Sequence, residues 1–154
     1  MTSQLATSEP QATTCPASAL HARQPGVLIA DTADVMALML TLLKFELEQR
    51  GLKVWLALDG DAAVDLYHRH ADAIDVVLID VHLPELGGPN LLEILRVFNP
   101  AVVACFMTGR CASYPDEYLM ECGAAGIFRK PFRPAEVAAF LQALASDPDA
   151  TTLV

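Results

Sequence analysis

The chain has 154 residues, 53% hydrophobic and 19% charged, with a formal net charge of −9. That length and apolar content suit one domain with one sizeable core, and the acidic balance offers no basic surface to a phosphate backbone, so nucleic acid is not expected as a partner. No apolar run approaches the roughly 20 residues a membrane span needs, and the start of the chain is neither a basic secretory signal nor an Arg-rich transit peptide, so a soluble, cytoplasmic protein is expected.

The cysteines, Cys15, Cys105, Cys111 and Cys122, include no close-spaced pair and read as reduced thiols. His21, His68, His70 and His82 lie far from them in sequence and add no metal-binding spacing.

Residues 1–25 are rich in Ala, Ser, Thr, Gln and Pro without apolar periodicity, and are expected to form a disordered tail. The domain is expected over residues 26–145, followed by a short polar tail over 146–154. Val27–Ala30 is a continuous apolar run closed by Asp31, as in a strand covered on both faces. Val35–Arg50 carries apolar residues at helical spacing, with Asp34 as N-cap and Gly51 beyond the end. Leu52–Leu58 predicts a second strand, Asp59-Gly60 a turn, and Asp61–His70 a second helix.

Asp75–Asp80 predicts a third strand with an acid at each end. A loop with Pro84 and Gly87-Gly88 leads to a helix over Pro89–Phe98. Ala101–Met107 follows as strand four, Pro115–Cys122 as helix four, Ala125–Arg129 as strand five and Pro134–Leu144 as helix five. Buried strands alternating with amphipathic helices predict an α/β fold, a doubly wound parallel sheet with helices on both faces. In such sheets the functional edge lies beyond the carboxyl ends of the strands. Asp31, Asp80, Thr108 and Lys130 end strands one, three, four and five and converge there. Two acids, a hydroxyl and an ammonium suit phosphoryl transfer. A carboxylate can attack phosphorus, a divalent cation can bridge carboxylate and phosphoryl oxygens, and an ammonium can balance charge.

At this point the chain resembles a response-regulator receiver domain of two-component signalling, over about Gly26 to Ala145. Four motifs in the family's order carry the likeness: Val-Leu-Ile-Ala-Asp31, Asp80-Val-His-Leu-Pro84-Glu-Leu-Gly-Gly88, Phe-Met-Thr108-Gly, and Gly123-Ala-Ala-Gly-Ile-Phe-Arg-Lys130-Pro131-Phe132. The resemblance implies the flavodoxin-like fold of five parallel strands in the order 2-1-3-4-5 with five helices. It implies Asp80 as the phosphoacceptor, served by a histidine kinase or histidine phosphotransfer protein. Mg²⁺ would be held by Asp31, Asp80 and the backbone carbonyl of His82, and Lys130 would pair with the phosphoryl oxygens. Thr108 would move toward the phosphoryl group as a switch, and Lys130-Pro131 would be a cis peptide.

The departures from the family pattern are part of the reading. Receivers usually end strand one with two adjacent acids, whereas this chain has Ala30-Asp31-Thr32. Either Thr32 replaces the second acid or Ala30 replaces the first; Asp34 folding back is a further alternative. In each case but the last, the site loses a charge and Mg²⁺ is expected to bind more weakly. Ile127 stands where the family commonly has a Tyr or Phe, and Phe128 is expected to point to the other side of strand five. The segment from Asp31 to Gly51 is about one helical turn longer than in typical receivers. Trp55 and Asp75 read as structural, Tyr114 and Tyr118 as surface aromatics near helix four, and Arg110 as a surface or access residue.

The expected function is a stand-alone receiver, not a dedicated enzyme, whose output is an unidentified protein target, as a monomer or weak homodimer through the helix four to helix five face. The alternative is a degenerate receiver that binds its partner without phosphorylation. A phosphohydrolase resembling haloacid dehalogenases is disfavoured because it wants an acid two residues past the nucleophile, where this chain has His82.

Overall fold

The computed structural model describes residues 23–32, 37–109 and 113–147. The chain alternates strand and helix five times: β1 (Gly26–Ala30), α1 (Ala37–Gln49), β2 (Lys53–Ala57), α2 (Gly60–His70), β3 (Val76–Asp80), α3 (Gly88–Phe98), β4 (Val103–Thr108), α4 (Asp116–Glu121), β5 (Gly126–Arg129) and α5 (Pro134–Ser146). The strands are all parallel, in the order β2-β1-β3-β4-β5. This is the doubly wound sheet expected from the pattern. Residues 1–22 and 148–154, which hold most of both expected tails, fall outside the described residues, as do Asp34 and Arg110.

Because side chains alternate along a strand, each buried strand feeds two cores. Leu28, Ala30, Val77, Ile79, Ala104 and Phe106 face α2, α3 and α4, where they meet Ala63, Tyr67, Leu91, Leu92, Leu95 and Leu119. Val27, Ile29, Val76, Leu78, Cys105 and Met107 face α1 and α5, where they meet Leu40, Leu43, Leu47, Val137, Leu141 and Leu144. Each fully buried Leu, Ile or Phe of this set contributes about 1.5–3 kcal/mol. The edge strand β2 is only partly covered, and its span is shorter than its apolar composition suggests.

Local chemistry sets the helix ends. Leu40, Leu43 and Leu47 give α1 its buried stripe, and Gly51 takes φ 85° just past its end, with the Leu52 N–H returning to Leu47 O at 3.0 Å. Asp59 caps α2 by accepting from the Ala62 N–H at 2.7 Å. Pro134 opens α5, which runs to Ser146, two residues past the predicted helix end. Arg96, in the last turn of α3, donates to the carbonyl of Cys122 at the end of α4. At the opposite end of the sheet from the acidic edge, Asp75 accepts from the Gly26 N–H at 2.8 Å and from both Nη atoms of Arg23, at 2.7 and 3.0 Å. Asp75 therefore has the structural role its position suggests. Trp55 packs against the core and stacks on His70 at 5.2 Å.

Candidate functional site

The carboxyl ends of the strands are drawn together by the ladders that continue past them. The Asp31 N–H donates to Ala57 O at 3.0 Å, the Val81 N–H to Met107 O at 2.9 Å, and the Lys130 N–H to Thr108 O at 2.8 Å. Ala30 pairs with Ile79, so Asp31 and Asp80 follow side by side. Asp31 is 3% and Asp80 7% exposed, and Thr108 is fully buried. These three are the buried polar and charged side chains among the described residues.

Lys130 reaches into this edge from the end of β5. Its Nζ donates to Asp31 Oδ2 at 2.5 Å and to Asp80 Oδ2 at 2.7 Å. Burial works against the ammonium, but the hydrogen bonds and charges of the two carboxylates outweigh it, so the Lys130 pKa lies above that of an ordinary lysine. The Lys130-Pro131 peptide is cis, as expected. The other oxygen of Asp80, Oδ1, accepts from the His82 N–H at 2.8 Å. Both acceptor oxygens are thus held, and the carboxylate is fixed in orientation.

The expected residues fall into place with two refinements. Thr108 is the last residue of β4 rather than the residue after it, and its hydroxyl turns to Gly109 O at 3.4 Å, away from the carboxylates. His82 is exposed, and the bond it gives Asp80 comes from its backbone N–H, a contribution the sequence reading did not include. The signal was available, since an Asp side chain commonly accepts from the N–H two residues on. Gly88 was also overlooked: it opens α3 so close to the acceptor that a Cβ there would lie 2.6 Å from the Asp80 carbonyl oxygen.

On β5, Ile127 packs with the α2–α3–α4 core and Phe128 with the α1–α5 core, so the two do point to opposite sides. Tyr114 and Tyr118 stack on each other at 5.3 Å beside α4, next to a bidentate pair in which Arg129 Nη2 donates to Asp116 at 2.8 and 2.9 Å.

Two adjacent carboxylates and the main chain at His82 form an oxygen-rich rim, the donor chemistry that Mg²⁺ accepts when it binds through one or two carboxylates and keeps several waters. No cluster of three or more Asp, Glu, His or Cys side chains forms among the described residues. The rim fits Mg²⁺ and supplies few charges to hold it.

A family description, the response regulator receiver domain, matches residues 27–142. Among curated proteins, the transcriptional regulatory protein CpxR of Escherichia coli K12 is 35% identical over 104 residues, covering 68% of this chain and 43% of that protein. The probable transcriptional regulatory protein TcrX of Mycobacterium tuberculosis is 31% identical over 127 residues, covering 82% and 52%. The chain thus spans about half the length of these relatives. Among solved structures, the receiver domain of the Francisella response regulator 1452 superposes with a TM-score of 0.67 at 27% identity, covering 80% of this chain and 98% of that one. A response regulator receiver domain protein of Clostridium thermocellum superposes with a TM-score of 0.71 at 22% identity, covering 82% and 98%, a likeness of fold. Among the described residues no helix is long and apolar enough to cross a membrane. With the strand order, the acidic edge and these matches in agreement, the chain belongs to the response regulator receiver domain family of two-component signalling.

Proposed function

We propose that this receiver takes a phosphoryl group on Asp80 from a phosphohistidine of a histidine kinase or histidine phosphotransfer protein. The observation that carries the reading is the buried Asp80 carboxylate, held by Lys130 Nζ at 2.7 Å and the His82 N–H at 2.8 Å beside Asp31. An Asp80 oxygen attacks phosphorus, the new O–P bond forms as the N–P bond of the donor breaks, and the donor imidazole leaves with the electron pair. Lys130 balances the charge of the phosphoryl oxygens, and the fixed orientation of the carboxylate lowers the entropic cost of alignment. Asp31, Asp80 and the His82 carbonyl are the residues that would hold Mg²⁺. When bound, that ion would neutralise charge on the transferring group.

Thr108 ends the neighbouring strand with its hydroxyl on the same edge, placed to bond the phosphoryl group after a rotation. The chain acts as a stoichiometric acceptor rather than a dedicated enzyme, and its output is a protein contact. A second reading, a receiver that binds its partner without phosphorylation, is favoured by Thr32 and Ile127 at positions where the family commonly has an acid and an aromatic.

Intact-mass spectrometry after incubation with a small-molecule phosphodonor, with and without Mg²⁺, separates the two. One phosphoryl adduct on the parent and none on Asp80→Asn is the expected result. An unmodified parent, or an adduct that survives in Asp80→Asn, overturns the acceptor reading, and the first of these supports the phosphorylation-independent one.

A further inference from the structure

The acidic edge already holds a cation of its own. The Lys130 ammonium lies between Asp31 and Asp80, bonded to one oxygen of each, while the second Asp80 oxygen is taken by the His82 N–H. Two carboxylates and one ammonium leave a single net negative charge. Thr32, half-buried directly after Asp31, adds a hydroxyl and no charge. Mg²⁺ gives up its hydration shell reluctantly and usually completes its site with substrate phosphates. A pair of buried carboxylates whose charge is half cancelled gives it little reason to do so.

We propose that Thr32 and Lys130 together make this a conditional cation site: the divalent ion binds weakly to the resting protein and tightly only once a phosphoryl group is present. The phosphoryl oxygens supply the charge that Thr32 does not, and they draw the Lys130 ammonium away from the carboxylates. Thr32 acts as the residue that sets cation affinity, and Lys130 as the resident counter-ion that keeps the unloaded site intact. This inference rests on the reading of the edge as a phosphoryl and cation site, and extends it to the order in which the two ligands bind.

The test is calorimetric titration of the full chain with Mg²⁺, alone and with beryllofluoride as a phosphoryl analogue, on the parent, Thr32→Asp, Thr32→Asn and Lys130→Met. The parent is expected to bind Mg²⁺ alone no better than millimolar, and at least about tenfold tighter with the analogue. Thr32→Asp is expected to bind Mg²⁺ alone about ten- to a hundredfold tighter than the parent, the range over which groups next to metal ligands tune affinity. Thr32→Asn should match the parent. Lys130→Met, if folded by circular dichroism, should also tighten Mg²⁺ binding in the absence of the analogue. Chelation should leave the melting temperature of the parent unchanged.

Submillimolar binding of Mg²⁺ alone to the parent overturns the proposal, as does a Thr32→Asp affinity equal to that of the parent. Failure of the acceptor reading shows elsewhere, as a missing phosphoryl adduct in the mass spectrum.

Discussion

Gly88 offers a test of how the fold positions the acceptor. It opens α3 against the end of β3, and a Cβ added there would lie 2.6 Å from the Asp80 carbonyl oxygen and 2.8 Å from Val81 Cα. Ordinary contact begins at 3.4 Å, so Gly88→Ala must widen this gap by roughly 0.8 Å in a close-packed region where both obstructing atoms are backbone. Overpacking of that kind costs about 1–3 kcal/mol, or roughly 3–15 °C in melting temperature for a domain of this size. Helix propensity acts in the other direction by about 0.5–1 kcal/mol, so a net loss isolates the clash. A shift approaching 1 Å at the reacting carboxylate slows phosphoryl acceptance by up to about a hundredfold. Gly109→Ala is the control, because nothing lies within 4 Å of a Cβ there and the residue is not among those with positive φ. Thermal denaturation gives the stability, and the time course of adduct mass gives the rate. If Gly88→Ala melts with the parent and accepts phosphoryl at the parent rate, the start of α3 does not hold Asp80 in place.

Other outcomes follow from residues away from the site. Burial pushes the Cys105 thiol up to about 12 from an ordinary 9.0. The folded state therefore keeps a proton that the unfolded chain releases near pH 9. This contribution to stability is intact below pH 9 and declines by about 1.4 kcal/mol per pH unit above it. Urea unfolding from pH 8 to 11 should show a shallower decline in Cys105→Ala than in the parent, and equal slopes would refute the assignment. Asp75→Ala leaves the part-buried Gly26 N–H without its 2.8 Å acceptor and should cost about 1–3 kcal/mol. Arg23→Ala removes only an exposed ion pair and should cost no more than about 1 kcal/mol. A larger loss for Arg23→Ala than for Asp75→Ala in urea denaturation would reverse that ranking.

Most of the architecture was legible in the chain because a parallel sheet covered on both faces writes its strands as unbroken apolar runs. Val27–Ala30 and Val76–Ile79 could hardly be anything else. Asp31 and Asp80 stood out because each breaks such a run at its carboxyl end, and Thr108 and Lys130 because they close the next two strands. The boundaries of β2 were softer, since an edge strand alternates between exposed and covered positions and its pattern fades into the adjoining turns. What the chain could not display were features made by distant segments meeting: the Lys130 ammonium shared between two carboxylates, and the start of α3 pressed against the acceptor. Both depend on backbone separations that no local spacing encodes.

Arg96 gives α3 a mechanical character. The helix spans roughly 16 Å at 1.5 Å per residue, with Gly88 against the acceptor's carbonyl at one end and, at the other, a guanidinium bonded to the terminal carbonyl of α4. It is a strut with both ends seated. The last turn of α4 cannot lift or rotate without dragging Arg96 or surrendering that bond, and a helix is too stiff along its axis to absorb the load within one turn. Two regions far apart in sequence thus share a boundary condition, and Arg96 is the joint at which one substitution would uncouple them while leaving the acidic edge intact.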